Sequence, residues 1–448
     1  MIVSIRVRVA TLAACLQAVF PLFARAAEPE GTRVESRVTA VSAAEEALRA
    51  SPDLAAAYAA IDAARGRLLQ AGLWPNPALT LAGRSDFAFR NEGERVLGVD
   101  LAQRFPIAGR LARAQEVARV DVALALAEAR EFERALIGDV QRTVYGLVAL
   151  DLAIASRASV IRTAEQLVHA ATRRRQAAEV SDADVNLLEI ELARFEQEKR
   201  RLELDRGVAA VRLNQLLFRR ANSPVEVSTK LDESAFDASQ TAEELAKAGA
   251  RRPDLEGLRL ESDRARAEAQ LARAESWEDW TVGAGYESDR QVFRNEPSVD
   301  PIGTKQDEFL GLALNVPLPL WNRNQGRVAE AHANERRARA RLAARERAVE
   351  AEIEAARRRA TELSRVAREY EESLLPRAQR NVELLERAYR QGLVAITTLV
   401  QAEQQLADTV LRRAETLGEL RQAEVDLETA AAASPLLRTN PTPEENRP

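Results

Sequence analysis

Pro52-Asp53-Leu54-Ala55-Ala56-Ala57 and Pro253-Asp254-Leu255-Glu256-Gly257-Leu258 open two stretches of one design. Each stretch starts as an amphipathic helix and runs to a tryptophan, Trp74 in the first and Trp277 in the second. Each then passes through segments of alternating apolar and polar residues to a proline, Pro106 or Pro317, and into a very long charged helix. The offset of about 200 residues far exceeds the roughly 20–50 residues of solenoid repeats. The chain therefore reads as two copies of a structural half, residues 27–231 and 232–433.

The composition fits long helices better than ordinary domains. Across 448 residues, 30% are charged and only 4% aromatic, with Ala, Leu, Glu, Arg and Gln prominent. A net charge of −5, with both signs spread along the helices, leaves no basic footprint for nucleic acid. The simplest reading of these charges is a solvated helix face.

Residues 1–26 have the form of a secretory signal peptide. Arg6 and Arg8 supply the charged part, Val9 to Phe23 the apolar part, and Ala24-Arg25-Ala26 the cleavage site. The apolar run is too short for a membrane helix, and no other segment is long and apolar enough for one. Leu12-Ala13-Ala14-Cys15 is similar to a lipoprotein box, but cleavage there would leave apolar Leu16 to Phe23 at the new N-terminus. Cleavage after Ala26 is the expectation. It removes the chain's one cysteine, so neither disulfide nor thiolate chemistry is expected. Residues 28–36 read as a polar leader and residues 434–448 as a flexible tail.

Between the helices the period changes to two. Leu79, Leu81, Phe87 and Phe89 fall on one face, with Thr80, Arg84 and Asp86 on the other. A turn at Asn91-Glu92-Gly93-Glu94 follows, and then Leu97, Val99, Leu101 and Phe105 alternate with Asp100 and Arg104. In the second half Trp280, Val282, Ala284 and Tyr286 alternate with Thr281, Gly283, Gly285 and Glu287. After a polar loop containing Pro297 and Pro301, Leu310, Leu312, Leu314 and Val316 alternate with Gly311, Ala313 and Asn315. Runs of about ten residues with this period suit hairpins of a membrane barrel; a strand pair on a soluble core is the plainer reading.

Each hairpin leads into a rod. The periodicity predicts helices over 109–177 and 324–391, each roughly 100 Å long at 1.5 Å per residue. Pro376 should kink the second rod without ending it. Helices return over 182–217 and 396–431, and Val225-Glu226-Val227 reads as a small strand outside the barrel. One chain then supplies four strands, whereas bacterial barrels need at least eight and open edges are not tolerated in lipid. Three chains would give a twelve-stranded barrel and gather the rods into a hollow bundle, with Ala-rich faces packed side by side. The fold class expected is mainly α with a small transmembrane β part: duplicated helical hairpins in a trimeric α-barrel tunnel.

Several of these segments resemble the TolC-type outer-membrane efflux proteins over nearly the whole mature length. They are the duplicated Pro-Asp-Leu helix start, Phe105-Pro106-Ile107-Ala108-Gly109-Arg110, Leu374-Leu375-Pro376, and Tyr389-Arg390-Gln391-Gly392-Leu393-Val394. Val316-Pro317-Leu318-Pro319-Leu320-Trp321-Asn322-Arg323-Asn324-Gln325-Gly326 is similar to a run in the cobalt-zinc-cadmium branch. The resemblance implies a homotrimeric duct through outer-membrane lipid and periplasm. Its tip would dock on a periplasmic adaptor, linked to an inner-membrane, proton-driven RND-type pump. It implies no enzyme activity and no cofactor, with divalent metal ions as cargo, or organic toxicants as the alternative.

The resemblance also places function at the rod ends. The two turns, Ala178-Glu179-Val180-Ser181 and Gly392-Leu393-Val394-Ala395, would form the adaptor-docking tips. Ordinary turn chemistry explains Gly392; it does not explain apolar Val180, Leu393 and Val394 at an exposed tip. Relatives ring the closed entrance with acidic residues just past the second turn, where this chain has Thr398 and Gln401. Beside the first turn lie Asp184, a possible constriction residue, and Asp182, which could equally cap a helix. The histidines after the leader, His169 and His332, lie on charged rods, so no metal site is expected. Nothing suggests a phosphate loop or an activated nucleophile. A reading from another class, a secreted periplasmic coiled-coil scaffold, would require sustained heptads and no membrane-length alternation.

Overall fold

Proline starts both duplicated helices because its fixed φ suits the first helical position. In the computed structural model, α1 (Ala40–Ala50) stops at Ser51, whose side chain accepts the Leu54 N–H and caps α2 (Pro52–Ala71). Ser51 thus divides residues 40–71 into two helices. The structure describes residues 37–88, 93–228, 249–293, 303–434 and 436. The signal peptide with Cys15, the polar leader, Phe89, Asn91, Glu92, Pro297, Pro301, the boundary between the halves at 231/232 and most of the tail lie outside the described residues.

The remaining elements follow in chain order. The first half continues with β1 (Ala78–Ser85), β2 (Arg95–Phe105), α3 (Arg110–Gln176) and α4 (Asp182–Leu216). The second half holds α5 (Pro253–Ala274), β3 (Trp280–Phe293), β4 (Gly303–Asn315), α6 (Gln325–Glu369), a π-helical turn (Tyr370–Leu374), α7 (Leu375–Arg390) and α8 (Ile396–Ala430). The 67 residues of α3 make a rod of roughly 100 Å. Pro376 does not end the rod: it has no N–H to give the regular ladder, and next to it the Leu375 N–H reaches back to the Tyr370 carbonyl across the π turn. At 225–227, the place of the expected small strand, the structure has a single parallel bridge from Val227 to Val38.

The four strands make one antiparallel sheet in the order β1-β2-β3-β4. Its register puts the alternating residues of all four on common faces. Leu79 pairs with Leu101, Leu101 with Ala284 and Ala284 with Leu312; one row on, Leu81, Val99, Tyr286 and Leu310 align. Paired residues share a face, so one face is an apolar band. The other carries Thr80, Arg84, Asp100, Arg104, Thr281, Glu287 and several Gly and Ala residues.

Three strand boundaries differ from expectation. β1 ends at Ser85 and leaves Phe87 in the turn, because the Ser85 hydroxyl accepts the Phe87 N–H and the Asp86 carboxylate accepts the Gly93 N–H. These local bonds compete with the ladder. β4 ends at Asn315, one residue before Val316, ahead of Pro317, which has no N–H to donate. The stretch after Glu287, read as loop, continues as strand through Phe293, so the second hairpin outreaches the first.

The helices form a row matching the sheet. Next to the strands, α2 packs on α3, α3 on α5 and α5 on α6; farther away, α4 packs on α3, α3 on α8 and α8 on α7. α3 therefore packs against α1, α2, α4, α5 and α8. One 18-residue window of α3 is apolar enough, by length and composition, to cross a membrane, contrary to the expectation of none, and a third of it is buried within the chain. Its apolar middle is core: Val140, Val144 and Leu147 are fully buried among Ala43, Ala44, Ala47 and Leu213. A smaller equivalent core in the second half gathers Leu255, Val349, Ile353 and Leu427.

Candidate functional site: the paired helical tips

The two tips share one backbone solution. α3 is capped by Ala177 and turns through Ala178, with φ of 60°; α7 is capped by Gln391 and turns through Gly392, with φ of 71°. In each, the following N–H reaches back five residues, Glu179 to the Arg174 carbonyl and Leu393 to the Ala388 carbonyl, both at 2.9 Å. This satisfies carbonyls that a helix end leaves unpaired. Ala178 is thus the structural counterpart of Gly392, at a conformation costly for a side chain bearing Cβ. Sequence reasoning missed it, because the glycine that marks the second corner is an alanine in the first.

Beyond the corner the tips diverge. Ser181 caps α4: its hydroxyl accepts the Asp184 N–H at 3.2 Å, and the Asp184 carboxylate accepts from the Ser181 hydroxyl at 2.7 Å and backbone N–H at 3.4 Å. This is a capping box. The cap is therefore Ser181, not Asp182, whose carboxylate pairs with Arg175 at 3.5 Å. Asp184 thus serves the helix start. In the second tip Ala395 stands at the cap position without a side-chain acceptor, and Thr398 takes the place of Asp184. Thr398 and Gln401 are both exposed on α8.

The apolar residues of the tips do not behave alike. Leu393 is 72% exposed. Val180 and Val394 are only partly exposed, which corrects the expectation for both. Val180 packs on a cluster of Ala171, Val185, Leu188, Ile396 and Val400, because the chain doubles back over the end of the hairpin. That cluster draws on both halves and brings the tips together. Arg174 strengthens the junction: its guanidinium lies 5.1 Å from the centre of the Tyr389 ring and pairs with Glu179 at 3.0 Å.

Behind the tips, α3, α4 and α8 line a partly open cavity of about 20 Å³, with Leu167, Leu188, Glu191, Phe195 and Glu403 among its walls. Burial, and then the nearby Glu386, push the Glu403 carboxyl above its ordinary pKa. Just past this cavity Arg157, 2% exposed, pairs with Glu198 at 2.9 Å and stacks on Phe195. The histidines do not converge. His169 is exposed on α3, and His332 on α6 faces Arg273, with 2.8 Å between Nε2 and the guanidinium. Among the described residues, no group of three or more His, Cys, Asp and Glu side chains could hold a metal ion.

Sheet, rods and paired tips together have the architecture of outer-membrane channels. The fold matches that of the outer-membrane channel OprN with a TM-score of 0.70 at 17% identity, covering 88% of this chain and 90% of that one. It matches CusC with a TM-score of 0.72 at 14% identity, over 88% of this chain and 91% of that one. It matches the outer-membrane protein VceC of Vibrio cholerae with a TM-score of 0.68 at 18% identity, over 88% and 95%. At these identities the likeness is one of fold. Residues 245–433, the second half, match the outer membrane efflux protein family. No curated protein is significantly similar to the chain in sequence.

Proposed function

We propose that three copies of this chain form a passive channel through the outer membrane and periplasm of a Gram-negative cell, the outer part of an efflux system. The observation that carries this reading is the coincidence of edges. The sheet stops at β1 and β4, and the helix row stops at α2 and α4 on one side and at α6 and α7 on the other. Both rows thus run out at the same two ends of the duplicated chain. Unpaired strand edges beside an apolar band are untenable in lipid. Joining β4 of one copy to β1 of the next removes them, and the same operation joins α6 and α7 to α2 and α4. Three copies give twelve strands, within the range of membrane barrels.

The apolar face then meets lipid and the polar face lines the pore. The tips, 178–181 and 392–395, dock on a periplasmic adaptor, which joins the channel to a proton-driven inner-membrane pump. The cargo is a divalent metal ion, a reading supported by the 317–326 motif; organic toxicants are the other outcome of the test. Cell fractionation with crosslinking should recover trimer in the outer membrane, and a soluble periplasmic monomer would overturn the proposal. Deleting the gene should sensitise cells to zinc, cobalt or cadmium in graded growth assays. Sensitivity to drugs alone would leave the channel in place and replace the cargo.

A further inference from the structure

The run from Pro317 to Gly326 divides into a part that holds and a part that is held out. The holding part is Asn322 to Gln325. Asn324 donates from its side chain to the Ala272 carbonyl at 2.8 Å, pinning the segment to the end of α5. The Gln325 side chain accepts the Arg323 N–H at 2.8 Å and donates to the Trp321 carbonyl at 3.3 Å, while Asn322 accepts the Asn324 N–H at 3.0 Å. These polar side chains serve the backbone and the start of α6. The part held out is Pro317-Leu318-Pro319-Leu320-Trp321. Two prolines restrict it, and the Leu320 N–H closes a tight turn on the Leu318 carbonyl at 2.8 Å. Leu318 is 65% exposed, Leu320 58% and Trp321 87%.

The first half has no counterpart. There the strand passes to its rod through 106–109; here the connection takes 316–324. The additional residues are apolar, and the first charge after Val316 is Arg323. They follow directly from Leu314, the last apolar-face residue of β4. The other tryptophans lie at the same end of the sheet. Trp280 pairs with Phe105, the Trp74 ring meets Phe105 edge-on with centroids 5.9 Å apart, and Trp277 precedes Trp280 by one turn of chain.

We propose that Leu318, Leu320 and Trp321 form a lipid-binding anchor, seated at the headgroup–acyl boundary of the periplasmic leaflet. The inference rests on the membrane reading above. Uncharged, exposed and continuous with the apolar band, the segment fits lipid. Its indole, apolar with one polar N–H, suits that boundary.

The test is lipid quenching of tryptophan fluorescence. A chain keeping only Trp321 (Trp74→Phe, Trp277→Phe, Trp280→Phe) is reconstituted in phosphatidylcholine vesicles brominated either near the headgroup or near the chain end. Leu312→Trp in a chain with all four native tryptophans replaced by Phe serves as the control. Trp321 emission should fall about twofold with bromine near the headgroup and much less with deep bromine. The Leu312→Trp control should be quenched by deep bromine. If the triple variant does not fold, Trp321→Phe in the otherwise intact chain should reduce the headgroup-sensitive part of the emission, leaving the share of Trp74, Trp277 and Trp280; an unchanged headgroup-sensitive part overturns the anchor. A quenched control with unquenched Trp321, whether in water or against a second copy, overturns the anchor and leaves the channel standing. If neither is quenched, the membrane reading fails, and the anchor with it.

Discussion

Ala178 and Gly392 turn the same corner, and only one is suited to it. A left-handed conformation costs a Cβ-bearing residue about 1 kcal/mol, partly offset by the unfolded-state freedom of glycine. Ala178→Gly should therefore stabilise the chain by about 0.5 kcal/mol and Gly392→Ala should destabilise it by a similar amount. Denaturant midpoints of the two variants, read against the parent, decide this. The second tip also lacks a capping side chain at Ala395. Ala395→Ser should add about 1 kcal/mol in the same assay. For docking, Leu393→Asp is the informative substitution. Leu393 supports no core, so trimer yield should be unchanged while adaptor pull-down and efflux are lost, since an unpaired carboxylate at the contact costs several kcal/mol. Normal pull-down would mean the docking surface lies elsewhere. Val180 is unsuitable for that test because it packs on the tip cluster. The sequence made the turn positions legible through Gly392, Pro376 and the return of helical period. It did not reveal which apolar residues stay exposed, because that depends on how the two halves meet at the tip.

At the element scale, buried charge networks join the helices. Arg252, 1% exposed, precedes α5 and binds Asp254 and Glu352, each at 2.8 Å, as well as the Ala430 carbonyl. Arg345 adds a second guanidinium to both carboxylates. Burial alone would raise the Asp254 and Glu352 carboxyls, but the two arginines hold both below the ordinary range. Their contribution is present above the unfolded carboxylate pKa of about 4 and is lost as pH falls through the lower folded values. Arg252→Ala leaves two partly buried carboxylates short of a partner, at a cost of about 3 kcal/mol at neutral pH. The melting deficit of that variant should shrink in acid; a deficit independent of pH would mean that packing, and not charge, is lost. Glu403 carries the opposite sign. Its raised carboxyl opposes folding once ionised, so Glu403→Gln should raise the melting temperature at neutral pH and lose that advantage below about pH 4. Helix lengths and strand faces were legible because period and proline encode them. The networks were not, since Arg252 and Glu352 lie a hundred residues apart.

At the scale of the whole molecule, duplication is the organising fact. Each half contributes one hairpin and one pair of rods, and α3 is the central rod of the row, flanked by α2 and α4 on one side and α5 and α8 on the other. The periplasmic scaffold reading fails at this scale, because a scaffold has no use for a four-stranded sheet whose apolar residues align across every strand. The duplicated sequence foretold this architecture; the extension of β3 and β4 beyond the first hairpin it did not, because Ser288, Asp289, Arg290 and Gln291 are polar and lack strand alternation. The central claim is that the chain completes itself only by joining copies edge to edge in the membrane. Native mass spectrometry of the protein extracted in detergent from the outer-membrane fraction tests it most directly. The account predicts a particle of three chains, and a stable single chain in that extract would contradict it.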